Sequence, residues 1–246
     1  MRKFVMAVVA AGLAGALGAR GQEGDLLVAL DRARFLDAPA SQLTVVVRSE
    51  SGDEVEEAEL RLAFKDISGE SYVRIEFLRP ADQEGQVFLV TPQGTFFWQP
   101  ELFSAIQLSG AQVGFGDVPV GQLAGIRFAD DYQIEAQREE EGEGGAVVLA
   151  LELRANSPTV PFQTVIVVVD PSSSRPRELR LLAVTGVLLY RVHLAEYAEV
   201  DGDLYVRDQV VENVLLNGTQ TALSIVGVEF EPLPDEAFDP ALLGEG

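Results

Sequence analysis

The sequence predicts a mainly β protein built on one large antiparallel sheet, and three observations predict it. Apolar residues recur at every second position in many short runs. Turn pairs containing glycine or asparagine separate those runs. Only one stretch downstream of the first residues has the 3.6-residue period of a long helix.

The elements follow in chain order. Arg2 and Lys3 precede an uncharged, largely apolar stretch from Phe4 to Leu17, and the small residues Ala16, Gly18, Ala19 and Gly21 offer a cleavage site. Residues 1–21 thus read as a cleaved secretory signal, since the apolar run is shorter than the roughly 20 residues a membrane span needs. Asp25 is placed to cap a helix over Leu26–Leu36, with Leu26, Ala29, Leu30, Ala33 and Leu36 on the buried stripe and Asp31, Arg32 and Arg34 off it. Pro39 ends it. From Leu43 the period becomes two: Leu60, Leu62 and Phe64; Val73, Ile75 and Phe77; Val147, Leu149, Leu151 and Leu153; Leu204 and Val206; Leu223 and Ile225. Ser51-Gly52, Ser68-Gly69, Gln93-Gly94, Asp201-Gly202 and Asn217-Gly218 supply the positive φ angles of tight hairpins. Residues 100–125 lack strict alternation and contain five glycines, so a short helix near Val118–Leu123 and irregular cover are expected there. One domain from Asp25 to Phe238 and a loose tail over 239–246 complete the division.

A sheet of ten or so strands twists strongly and has to hide its apolar face. One helix is little cover for so many strands. The sheet either packs on itself as a sandwich or curves round an incompletely filled core, and the second arrangement leaves an apolar concavity fit for a ligand.

Composition excludes several classes. The chain has no cysteine, which removes disulfides, thiolate metal sites, thiol catalysis and lipid attachment through cysteine. The mature protein is therefore expected to be free in its compartment. The formal charge of −21 becomes −24 once Arg2, Lys3 and Arg20 leave with the signal, and such a surface repels phosphate backbones, so no nucleic-acid partner is expected. His193 is the only histidine and sits in a strand pattern with no nucleophile or second ligand nearby in sequence. Gly114-Phe115-Gly116 lacks the third glycine and the helix of a dinucleotide loop, and Pro119 follows it. No enzyme, cofactor or metal is expected. The aromatic residues are more telling: Phe77, Phe88, Phe96, Trp98, Phe103 and Phe115 concentrate in the central third and are the candidate lining of an apolar cavity. Phe96-Phe97-Trp98 must place at least one large ring on each face of a strand.

Five passages carry a family likeness: Arg74–Pro80 leading to Gly85–Val90, Phe97-Trp98-Gln99-Pro100, Val169-Asp170-Pro171 with Arg175–Leu179, Glu196–Gly202, and Thr221–Phe230 followed by Pro232–Phe238. In this order, behind a signal and a helix, they resemble the outer-membrane lipoprotein-sorting proteins of the LolA/LolB-like family. The resemblance implies an unclosed β-barrel with helices over its mouth. It also implies a periplasmic carrier that shields the acyl chains of lipoproteins, or another lipid, for transfer toward the outer membrane. Membrane-bound donor and acceptor proteins would be its further partners, and a monomer is expected. A sensing or interaction module that binds the envelope segment of a membrane protein is the alternative on the same fold.

Overall fold

The computed structural model describes residues 19–34, 42–108, 126–216 and 219–243. Helix α1 spans Ala19–Arg34. Six strands follow: β1 (Gln42–Ser51), β2 (Glu54–Ile67), β3 (Glu70–Arg79), β4 (Val87–Thr91), β5 (Gly94–Trp98) and β6 (Ile106–Leu108). After the one-turn helix α2 (Phe128–Asp131) come β7 (Tyr132–Glu141), β8 (Val147–Ala155), β9 (Thr164–Asp170), β10 (Arg175–Leu182), β11 (Leu188–Val200), β12 (Asp203–Asn213) and β13 (Gln220–Glu229). The thirteen strands form one antiparallel sheet in the order β6-β5-β4-β3-β2-β1-β13-β12-β11-β10-β9-β8-β7. The mainly β, unclosed architecture expected from the sequence is the one observed.

Hairpin chemistry explains most of this order. Ser68 and Gly69 both have positive φ (57° and 85°), as do Asp201 and Gly202 (52° and 94°), the backbone that two-residue primed turns demand. Each such turn returns the chain beside the strand just made, so two meanders grow outward. Pairing of β1 with β13 then joins them: Leu43 lies opposite Leu62 of β2 and Val228 of β13, and Val47 opposite Ala58 and Leu223. The free edges are β6 and β7. They are consecutive in the chain yet stand at opposite ends of the strand order. Edge pairing with other chains is discouraged in two ways: β6 has only three residues, and β7 carries Glu135, Glu139, Glu140 and Glu141.

The inner face is mainly apolar. Val45, Leu60, Ile75, Leu151, Val167, Leu179, Val192 and Leu223 belong to a single buried cluster that also takes in Leu27 and Leu30 of α1 and Ile126 and Phe128 beside α2. The outer face is divided. Over β7–β12 it is a mesh of ion pairs in which Arg180 meets Glu140 and Glu178, and Arg191 meets Glu178 and Glu212. Their long aliphatic stems cover β9, whose outward Ile166 and Val168 are buried along with its inward valines. Over β2–β5 the cover is the C-terminal segment. Lys65, the only lysine besides Lys3, donates to the Leu233 carbonyl at 2.6 Å and pairs with Asp235 at 2.5 Å, and Arg74 donates to the Ala237 carbonyl at 3.1 Å. Phe238 and Leu243 are thereby pressed onto Ala63, Val87 and Leu89. Packing thus continues to Leu243, inside the stretch read as a loose tail.

α1 also differs from its expected form. It begins at Ala19, ahead of the Asp25 cap read from the sequence, and its buried positions are Leu27, Leu30 and Arg34, whereas Ala29 is exposed. Leu36, the Val118–Leu123 helix and the Asn217-Gly218 pair lie outside the described residues.

Trp98, the only tryptophan, packs against the cluster closed by Phe238 and donates to the Leu102 carbonyl at 3.0 Å. Phe238→Ala should therefore cost about 3 kcal/mol in chemical denaturation and shift Trp98 emission to the red. Phe103→Ala, at a fully exposed ring, should change neither.

Candidate functional site

The site is the part of the inner face that α1 leaves incompletely filled. β1 contributes Leu43 and Val45, β2 Leu62 and Phe64, β10 and β11 Leu179, Val192 and Leu194, β12 Val206, and β13 Leu223 and Ile225. Strand alternation produces most of this wall directly, and at the irregular β11–β12 pairing the consecutive Val206 and Arg207 both line it. The remaining gap has a volume of about 70 Å³. That is well below the roughly 300–1,000 Å³ of sites that enclose a small organic ligand. Among the described residues, α1 lies over this gap through Arg34.

A polar lock holds α1 in place. Asp31 points its carboxylate at the start of α2, where Oδ1 accepts from the Phe128 amide at 3.0 Å and Oδ2 from the Ala129 amide at 2.9 Å. Both are amide donors that α2 itself leaves without an intrahelical acceptor. Arg34 lies one turn further along α1 with Nη1 3.8 Å from Asp31 Oδ1, and its guanidinium is stacked 4.4 Å from the centre of the Phe128 ring. Only 8 % of Arg34 is exposed. Burial pushes its pKa down to about 10, against the opposing pull of Asp31. Burial likewise raises the Asp31 pKa above its ordinary value, opposed by Arg34 and the two amide bonds. Tyr132 and Tyr197, both within electrostatic reach of Arg34, are raised by desolvation. Tyr132 donates to the Phe162 carbonyl at 2.9 Å, and Tyr197 donates to the Pro176 carbonyl.

The aromatic residues expected to line a cavity divide between the faces. Phe77 and Phe88 are on the inner side, with ring centroids 5.9 Å apart, and Phe97 continues that row 4.9 Å from Phe88. Phe96 and Trp98 are on the outer side, under the C-terminal segment. Phe103 is fully exposed on the β5–β6 loop, and Phe115 lies outside the described residues. None of the described five touches the gap beneath α1. The strand β5 keeps regular alternation, so the Phe-Phe-Trp run serves two clusters, and the second exists because the C-terminal segment covers it. Reading the sequence missed Arg34 and Asp31 altogether. An amphipathic wheel assigns charges to solvent, and the one signal in their favour was their spacing of three on the single long helix.

His193 is half exposed on the outer face, 3.7 Å from Glu178. Among the described residues, no group of three or more His, Cys, Asp or Glu side chains is arranged to hold a metal ion. Among the same residues, no helix is long and apolar enough to cross a membrane.

Comparison with known proteins gives the fold a relation. No curated protein matches the chain in sequence. A LolA superfamily protein from Nitrosomonas europaea superposes with a TM-score of 0.75 at 24% identity, covering 88% of this chain and 97% of that one. A DUF1329 family protein from Desulfovibrio piger gives 0.74 at 18%, with 89% and 96% covered. A domain from Vibrio parahaemolyticus assigned to outer membrane lipoprotein sorting gives 0.75 at 17%, with 91% and 99% covered. The resemblance read from the sequence thus holds for the fold. A family model described as "Uncharacterized protein" matches residues 69–245, from the hairpin before β3 to beyond Leu243. The chain therefore belongs to that family, and its fold is that of the LolA superfamily.

Proposed function

We propose that the protein is an exported, periplasmic carrier that shields the acyl chains of lipoproteins, or of another lipid, against the inner face of its sheet for transfer toward the outer membrane. The observation that carries this reading is an apolar concave wall whose cover near the gap, among the described residues, is a helix holding on by few contacts. α1 buries two leucines, Leu27 and Leu30, at its described apolar positions. Two buried leucines contribute roughly 3–6 kcal/mol. An acyl chain gains about 0.8 kcal/mol for each buried CH₂, so about eight methylenes match the leucines and about eleven match them together with the roughly 3 kcal/mol of the Asp31 contacts. A longer chain displaces it with free energy to spare. The N-terminal signal pattern supports export, and the fold shared with the Vibrio domain supports handling of lipid. No step in such shielding needs a catalytic group.

A second reading, an interaction module for the envelope segment of a membrane protein, is favoured by one observation. Val184 and Val187 of the β10–β11 hairpin and Leu215 and Leu216 after β12 are exposed apolar tips. They lie on neighbouring loops, tied by the Val214 amide donating to the Leu189 carbonyl at 2.9 Å. Val184→Ser with Leu215→Ser should weaken capture of such a segment and leave lipid uptake unchanged if both readings hold on separate surfaces.

The carrier reading is tested by native mass spectrometry of the mature protein for co-purified lipid, together with uptake of the neutral apolar fluorophore N-phenyl-1-naphthylamine. Lipid adducts and saturable uptake are expected. Ile225→Trp fills the gap from a half-buried position and should abolish most uptake with little loss of stability, whereas Trp98→Ala on the outer face should leave uptake intact. A protein that is lipid-free and takes up no fluorophore contradicts the proposal. Asp31→Ala removes both amide acceptors and the partner of a buried cation, so it should cost about 3 kcal/mol in denaturation and raise fluorophore uptake.

A further inference from the structure

The sheet is forked at the gap beneath α1. β12 pairs with β11 from Asp203 to Asn213, and β13 pairs with β1 from Gln220 to Glu229. The two strands pair with each other only over Asp208–Glu212 and Gln220–Ser224. Their ladder stops at Asp208 and Ser224, where the serine hydroxyl donates to the carboxylate. Irregular pairing on both sides explains the fork. β11–β12 slips register on either side of Glu196, the partner of Asp208, and β1–β13 slips between Thr44 and Val45, which leaves Val226 without a partner on β1. Bulges of this kind bend a strand and increase its twist, so β12 departs with β11 while β13 stays with β1.

The gap lies against this fork. Val206, Arg207 and Gln209 of β12 and Leu223 and Ile225 of β13 line it. Arg207 lines the gap and yet has a side chain 42 % exposed, held at the surface by Glu196 and Asp208. Arg34, on the α1 side of the same gap, is almost wholly buried. Among the described residues, the gap therefore meets solvent at the fork and is shut at the helix. Apolar side chains continue outward from it, with Val228 half-buried and Val226 and Phe230 exposed. Resting on the carrier reading, we infer that the fork between β12 and β13 is the port of the site, through which a lipid's hydrocarbon chain enters methyl end first and beside which its polar end stays, next to Val226. The order of entry follows from the charges. Arg34 is paired with Asp31, and Arg207 with Glu196 and Asp208, so a polar end drawn into the gap would lose its water with nothing to replace it. Whatever the polar end is attached to then remains on the outer side of the sheet.

The chain has no cysteine, so single-cysteine variants carry a bimane label at one place. Val226→Cys at the fork, Val28→Cys on α1 and Val184→Cys on the β10–β11 hairpin all replace exposed side chains, where substitution disturbs folding little. Each labelled protein is titrated with stearate bearing a doxyl nitroxide either beside the carboxylate or near the methyl end. Displacement of N-phenyl-1-naphthylamine from the unlabelled protein measures binding of the same two stearates. Bimane at position 226 should lose most fluorescence to the carboxylate-side nitroxide and less to the methyl-side one. Bimane at positions 28 and 184 should lose less to the carboxylate-side nitroxide than bimane at 226. A loss at position 28 or 184 that equals or exceeds that at 226, indifference of 226 to the nitroxide's place, or no displacement by either stearate overturns the inference and leaves the carrier reading standing. A protein that takes up neither the fluorophore nor the stearates overturns both.

Discussion

Everything in this molecule follows from the apolar inner face of a thirteen-stranded sheet that does not close on itself. The pairing of β1 with β13 makes the two meanders one surface, and the buried valines and leucines make that surface costly to leave in water. The open edges fix where cover has to come from. Ile126 and Phe128, ahead of β7, are buried against the inner face. Among the described residues, α1 supplies further cover with Leu27 and Leu30, and the proposed carrier role rests on a longer hydrocarbon outcompeting it.

The two faces use different physics. Outside, the mesh of arginines and glutamates over β7–β12 adds little stability pair by pair, as exposed ion pairs do. Its aliphatic stems nevertheless keep β9 dry. The C-terminal segment does the same for β2–β5 with Phe238 and Leu243. The C-terminal cover is anchored by its Leu233 and Ala237 carbonyls, which accept from Lys65 and Arg74. Inside, the cover is held by Asp31 reaching two amides of α2, with Arg34 stacked on Phe128. Desolvation disfavours both charges there, which makes this lock weaker than its bond lengths alone would indicate.

The fold was largely legible in the sequence because strand period and turn chemistry are local. Ser68-Gly69 and Asp201-Gly202 announce hairpins without reference to anything distant, and the alternation of Leu60, Leu62 and Phe64 states which face is buried. What escaped was set by contacts far apart in the chain. Phe96 and Trp98 look like cavity residues until a segment some 140 positions later covers them. Arg34 looks like a solvent-facing helix charge until Phe128, on the other side of six intervening strands in sequence, is stacked beneath it. Aromatic content marked the right third of the chain, but the site itself is walled by aliphatic strand residues and given its polarity by the helix.

The central claim is that a lipid chain occupies the inner wall by displacing α1 and leaves the sheet unchanged. Hydrogen exchange of the mature protein with and without a saturating long-chain lipid tests it most directly. The account predicts faster exchange for amides of residues 27–34 and of Phe128 and Ala129 when lipid binds, with β1, β2, β12 and β13 equally or better protected. Lipid binding that slows exchange in α1 and α2, or leaves it unchanged, would contradict it.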